Sequence, residues 1–181
     1  MFKRAAVLFI CLMVLTVAAA NAEEPFAAPD PASPLTLEGD MGLLVEDTWY
    51  PILNDFAPLK EALGEAEDII AAPSCVFQGE DKEFVYDGMS VFTNPLGALD
   101  VWYEACITGE GYTTVRGIGV GSSRDEIIAA YGENYYMEGE NVMTFSVSGI
   151  EGDYESPCVM FELTEDGLVS CIDIYFPTNT F

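Results

Sequence analysis

Histidine is absent, and Lys and Arg together number 6 against 31 Asp and Glu, a net charge of −25 over 181 residues. Without an imidazole there is no Ser-His-Asp or Cys-His constellation, no histidine general base and no histidine zinc ligand. The scarce lysines exclude more. Ala57 and Gly79 stand three residues before Lys60 and Lys82, so there is no Ser-x-x-Lys pair. Neither a Gly-x-x-x-x-Gly-Lys phosphate loop nor an Asp-x-Asp-x-Asp-Gly calcium loop occurs. An enzyme is therefore not expected, and neither is a cofactor or a metal; a small carboxylate-dependent hydrolase is the remote alternative. The acid excess repels phosphate backbones and anionic lipid, so nucleic acid and membrane surfaces are not expected partners. The acids are spread along the chain, which favours solubility and leaves attraction to basic proteins as the sharper consequence.

Long apolar runs are also missing, with one exception at the start. Lys3 and Arg4 precede an uncharged stretch from Ala5 to Ala20, and Ala20-Asn21-Ala22 is a small-x-small cleavage site followed by Glu23. This reads as a secretory signal peptide over residues 1–22, with a secreted or extracytoplasmic product beginning at Glu23. Losing Lys3 and Arg4 takes the net charge from −25 down by two, to −27. No later run is long enough to span a bilayer. Leu8-Phe9-Ile10 before Cys11 is too bulky for a lipobox, so Cys11 belongs to the apolar run. Cys75, Cys106, Cys158 and Cys171 remain. An even number in an exported protein is expected to form two disulfides, with three pairings open in principle.

Residues 23–41, with Pro25, Pro29, Pro31 and Pro34 among Ala and Ser, read as a flexible tether. The folded part divides into 42–114 and 115–181. In the first unit Asp55 caps a short helix that Gly64 stops; in the second Ser123, forming a capping box with Glu126, caps a helix that Gly132 stops. Asp55 and Ser123 each lie nine residues before their stop glycine, and Leu59 and Ile127 each lie five before it. This matched register suggests a tandem repeat. Strands are expected at Ser74–Phe77, Glu83–Tyr86, Met89–Thr93 and Leu99–Ile107, then at Val142–Val147, Pro157–Leu163 and Leu168–Phe176. The fold class is α+β: two repeats, each a short helix followed by an antiparallel meander, with the helices on one face of the sheet. Gly117, Gly119 and Gly121 read as a strand-to-helix turn, since no strand-Gly-Lys context marks a phosphate loop.

The stretch Thr114-Val115-Arg116-Gly117-Ile118-Gly119-Val120-Gly121-Ser122-Ser123 through Tyr131-Gly132 resembles the glycine-rich helix entry of certain bacterial cell-surface proteins, many of them lipoproteins. Ser74-Cys75-Val76-Phe77-Gln78-Gly79, with Tyr86 and Thr93, is similar to the segment preceding that entry. The duplicated helix-plus-meander unit looks like the β-lactamase-inhibitor-protein fold, and a single unit resembles small outer-membrane-assembly lipoproteins. The resemblance extends from Trp49 to Phe176. It implies a secreted or cell-surface protein-binding module, with a cell-envelope assembly factor as the alternative.

Strand alternation gives further expectations. In Leu99–Ile107, Trp102, Glu104 and Cys106 share one side, opposite Val101, Tyr103, Ala105 and Ile107. With the helices covering the apolar side, Trp102, Glu104, Met160, Asp173 and Tyr175 form the expected binding face for a protein partner. If Leu163 sits opposite Leu168, Cys158 faces Asp173 and lies diagonal to Cys171. The expected bridges are then Cys158–Cys171 and, from the repeat and by elimination, Cys75–Cys106.

Overall fold

The computed structural model describes residues 26–178, so the expected leader and its cleavage site lie outside the described residues. The class is α+β, with antiparallel sheets and few helices. A short helix α1 (Leu37–Asp40) leads into a separate hairpin of β1 (Gly42–Val45) and β2 (Thr48–Pro51). Helix α2 (Phe56–Leu63) follows, then β3 (Asp68–Pro73), β4 (Glu80–Tyr86), β5 (Met89–Leu96) and β6 (Leu99–Ile107). Helix α3 (Arg124–Tyr131) precedes β7 (Tyr136–Glu138), β8 (Val142–Ser146), β9 (Cys158–Leu163) and β10 (Val169–Tyr175). Strands β3 to β10 form one eight-stranded sheet in the order β3-β4-β5-β6-β10-β9-β8-β7.

Local chemistry sets both helices as expected. The Asp55 side chain accepts from the Ala57 N–H, and Gly64 ends α2 at φ 83°, a conformation glycine tolerates without steric cost. Ser123 and Glu126 exchange both bonds of a capping box, and Gly132 ends α3 at φ 82°. Each helix buries a narrow stripe: Phe56 and Leu59 from α2, Ile127 and Tyr131 from α3.

Both stripes meet the same side of the sheet. Phe56 packs on Phe84 of β4 at 4.6 Å between ring centres, and Tyr131 packs on Phe145 of β8 and Phe161 of β9 at 5.1 and 5.2 Å. Register joins these rings into one surface. Phe84 faces Val91, Val91 faces Ala105, Ile174 faces Ala105, and Ile172 faces both Ile107 and Phe161. Paired residues of an antiparallel sheet project to the same side, so this continuous apolar layer is the core.

The structure departs from the sequence reading in several places. Ser74–Phe77 is a loop; the strand there is β3, whose six residues are all exposed and show no apolar alternation to mark them. The short edge strand β7 was not expected. Residues 26–41 do not form a free tether. Phe26 stacks on Trp49, the Ala32 N–H donates to Ala130, and Leu35 and Met41 are buried. Arg116 fixes this segment. Its guanidinium bonds both carboxylate oxygens of Asp40 at 2.6 and 3.1 Å, donates to the Ser33 and Ala130 carbonyls, and lies over the Tyr131 ring.

A further departure is a β-bulge in β6. Phe92 pairs with Glu104, but Thr93 pairs with Trp102, which leaves Tyr103 as the extra residue. Trp102 thereby turns to the helix side and is fully buried.

Candidate functional site

The side of the sheet away from the helices carries the candidate site. Its residues alternate with the core: Asp173 stands between Ile172 and Ile174, Glu104 and Cys106 flank Ala105, and Met160 stands between Val159 and Phe161. The register brings them together across three strands. Glu104 faces Tyr175, Cys106 faces Asp173, and Asp173 faces Met160. Four of the five expected face residues, Glu104, Met160, Asp173 and Tyr175, therefore share this surface. The fifth, Trp102, does not, and its expected binding role is withdrawn. The bulge that removes it delivers Tyr103 instead, whose ring meets Tyr175 edge-on at 6.5 Å.

The electrostatics of the face are unusual for an exposed sheet side. Burial, then the neighbouring Asp173, Cys106 and Glu83, push the Glu104 carboxyl up from 4.5 to about 8. Burial alone pushes Asp173 up to about 6. Oδ1 of Asp173 is enclosed and has no hydrogen-bond partner. Burial and the adjacent carboxylates also raise Tyr103 to about 12. No cation relieves this charge. Among the described residues, Lys82 pairs with Asp100, Arg116 with Asp40, Arg124 bonds the Tyr135 hydroxyl, and Lys60 lies over Phe84.

Beside the carboxylates lies a cleft of about 490 Å³, bounded by β7, β9, β10 and the 147–157 loop. Tyr136, Tyr154, Tyr175 and Met160 supply its apolar surface, and Glu138, Asp153 and Glu155 supply its acids. The Ser148 N–H donates to Ser156 Oγ at 2.9 Å and the Gly149 N–H to Ser146 Oγ at 3.1 Å, which sets the loop against the sheet. Sequence reasoning missed Tyr136, Glu138, Asp153 and Tyr154. Tyr136 and Glu138 do alternate around Met137, a strand signal, but three residues are too few to stand out. The loop carries no periodic signal at all. Tyrosine faces with carboxylates around them suit an ammonium or guanidinium group, through cation–π contact and charge-assisted hydrogen bonds.

The cysteines do not follow the expected pairing. Cys158 faces Tyr175 and not Asp173, because Leu163 pairs with Val169 and the register then shifts between Val169 and Cys171. Four strand residues, about 13 Å, separate that position from Cys171, beyond the reach of a bridge. Cys75 lies in the 74–79 loop, at the end of the sheet where Pro95 faces Asp100; Cys106 is six residues farther along β6, roughly 20 Å away. No two of the four sulfurs are bonded in this structure, and those of Cys106 and Cys171 lie 3.3 Å apart. No group of three or more Cys, Asp or Glu is arranged to hold a metal ion, and no helix is long and apolar enough to cross a membrane, both among the described residues.

No protein-family model matches the chain, and no curated protein matches it. Among solved structures it is similar to a cysteine-rich secretory protein from Staphylococcus aureus, at 11% identity and a TM-score of 0.44, over 83% of this chain and 51% of that one. The chain thus spans about half the length of that protein.

Proposed function

We propose that this is an exported, acidic protein-binding module without catalytic activity, and that its helix-free sheet face takes a basic side chain of the partner. The observation that carries the reading is the pairing of a tyrosine-lined acidic cleft with two half-buried carboxyls that have no countercharge. An incoming Lys or Arg supplies the missing charge, and the net charge of −25 steers basic surfaces toward it. Arginine is the better fit, because its planar guanidinium stacks on tyrosine and bonds a carboxylate through two N–H groups. Export rests on the Lys3-Arg4 start and the Ala20-Asn21-Ala22 site; a full-length chain retained in the cytoplasm counts against it, and an N-terminus other than Glu23 on the secreted protein counts against the cleavage site.

The binding test compares two charge reversals of equal size. Glu138→Lys with Asp153→Lys alters the cleft, whereas Glu61→Lys with Asp125→Lys alters the exposed helix surfaces. Titration with arginine-containing peptides should show at least about a tenfold loss for the cleft pair and a much smaller loss for the helix pair, since a rim charge mainly changes steering. Equal losses from the two would reduce the site to non-specific charge attraction and overturn it.

The architecture supports a duplicated unit. Each of α2 and α3 precedes four strands paired in sequence order, and the caps of the two helices share one spacing. If the units are tandem repeats, residues 55–64 grafted in place of 123–132 should still fold. A graft that unfolds while single-residue changes in α3 are tolerated argues for two unrelated helices.

A further inference from the structure

The only non-sequential join in the large sheet is the seam between β6 and β10, and two thiols meet across it. Cys106 faces Asp173, so Cys171, two residues back along β10, is its diagonal neighbour on the helix-free side. Diagonal neighbours have more widely spaced Cα atoms than a bridge prefers, yet these two side chains already lean together, with 3.3 Å between the sulfurs. Closing to a bond of about 2.05 Å requires roughly 1.3 Å of further approach. The irregular register of β10 between Val169 and Cys171 gives the backbone beside Cys171 freedom to supply it. The thiols also share a hydrogen bond. Either sulfur can donate; with Cys106 donating, that bond holds Cys171 below the usual thiol range, against the opposing effects of burial and of Asp173 and Glu162. A favoured thiolate is the species that attacks a disulfide.

We infer that Cys106 and Cys171 form a single disulfide across the β6–β10 seam, and that Cys75 and Cys158 stay reduced. The oxidant is a dithiol oxidant of the thiol–disulfide class, such as glutathione disulfide or the active-site disulfide of an oxidoreductase. The Cys171 thiolate attacks one of its sulfurs and expels a thiolate, forming a mixed disulfide. Cys106, giving up its proton, attacks Cys171 and releases the second thiolate. The protein loses two electrons and two protons, and the oxidant gains them as two thiols. Neither remaining cysteine competes. Cys75 stands at the far end of the sheet, and Cys158, four residues along from Cys171, is buried against the sheet face.

The experiment uses the mature full-length protein equilibrated in a mixture of reduced and oxidised glutathione, then alkylated and peptide-mapped without reduction. The expected result is one bond, a loss of two hydrogens from the intact mass, a crosslinked Cys106–Cys171 peptide pair, and alkylation at Cys75 and Cys158. Reduction should lower Tm by about 10 °C, because the bridge closes a long loop in the unfolded chain. Cys75→Ser should leave the bond unchanged, and Cys106→Ser should abolish both the crosslink and the Tm difference between oxidised and reduced protein. A bond joining any other pair, or Cys106 and Cys171 both alkylated after equilibration in excess oxidised glutathione, overturns the inference. The wild-type map alone decides this, so a poorly folded variant does not leave the question open.

Discussion

The two sides of the eight-stranded sheet are built from alternate residues of the same strands, yet they occupy opposite physical states. The helix side is dry: Trp102, Phe161, Ile107, Ile172 and Ile174 are fully enclosed apolar side chains. The other side is only half-dry. Glu104 and Asp173 lose water to Cys106, Met160 and the tyrosines without gaining a cation, so their charged forms become costly. A side that were simply solvated would leave these carboxyls at ordinary values. The contrast teaches that burial on the open side is enough to create a demand for charge but not enough to remove the charged groups.

The comparison breaks hardest on the helix side. Trp102→Ala should cost about 3–5 kcal/mol, the usual range for truncating a large core aromatic. Urea unfolding measures it, and a loss below about 1 kcal/mol would mean that the bulge does not hold Trp102 in the core. Asp40→Ala comes next. It leaves the Arg116 guanidinium, only 2% exposed, without its carboxylate, and should cost about 3 kcal/mol. A change within about 0.5 kcal/mol would detach residues 26–41 from the fold.

The open side is probed by pH. Glu104 and Asp173 sit at about 8 and about 6 in the folded protein, against ordinary values of 4.5 and 3.8. Between those limits the folded state binds more protons than the unfolded one, so stability from these two groups is fully present below pH 3.8. It falls as pH rises and is gone above about 8. Glu104→Gln should remove most of that decline and raise Tm at pH 8 by a few degrees, measured by calorimetry at pH 5 and pH 8 in wild type and variant. An identical pH dependence in both would place Glu104 in open water. The smallest effect belongs to Tyr154→Ala. At 75% exposure its stability change should stay within about 0.5 kcal/mol, while arginine-peptide binding weakens. If binding is unaffected, Tyr154 is not part of the site.

What could be read from the sequence was what is decided locally. Asp55, Gly64, Ser123, Glu126 and Gly132 act within one turn of chain, and both helices came out as expected. The sheet faces were legible where strands are regular, hence Glu104, Met160, Asp173 and Tyr175. They failed where tertiary bonds intervene. Trp102 trades backbone bonds with Leu53 and Asn54, its N–H donating to Asn54 and its carbonyl accepting from Leu53, and this contact accompanies the bulge that reverses its side. The cysteine pairing failed through a register change that reaches two residues at Cys158 in the last hairpin. The Asp40–Arg116 pair joins residues 76 apart, and no local pattern announces it.

The seam has a consequence for how the chain reaches this state. All other neighbours in the large sheet are consecutive strands, which can zip as hairpins on the microsecond scale. The β6–β10 join alone must first close a long loop, with its two cysteines 65 residues apart. Pulse-labelled hydrogen exchange during refolding should find the β6 and β10 seam amides protected last; simultaneous protection throughout would rule this order out. A chain made from its N-terminus completes β6 long before β10 exists. The strand that ends in the middle of the sheet therefore spends the synthesis of the second half as its unpaired edge, with the outward hydrogen-bonding groups of β6 open to any passing strand.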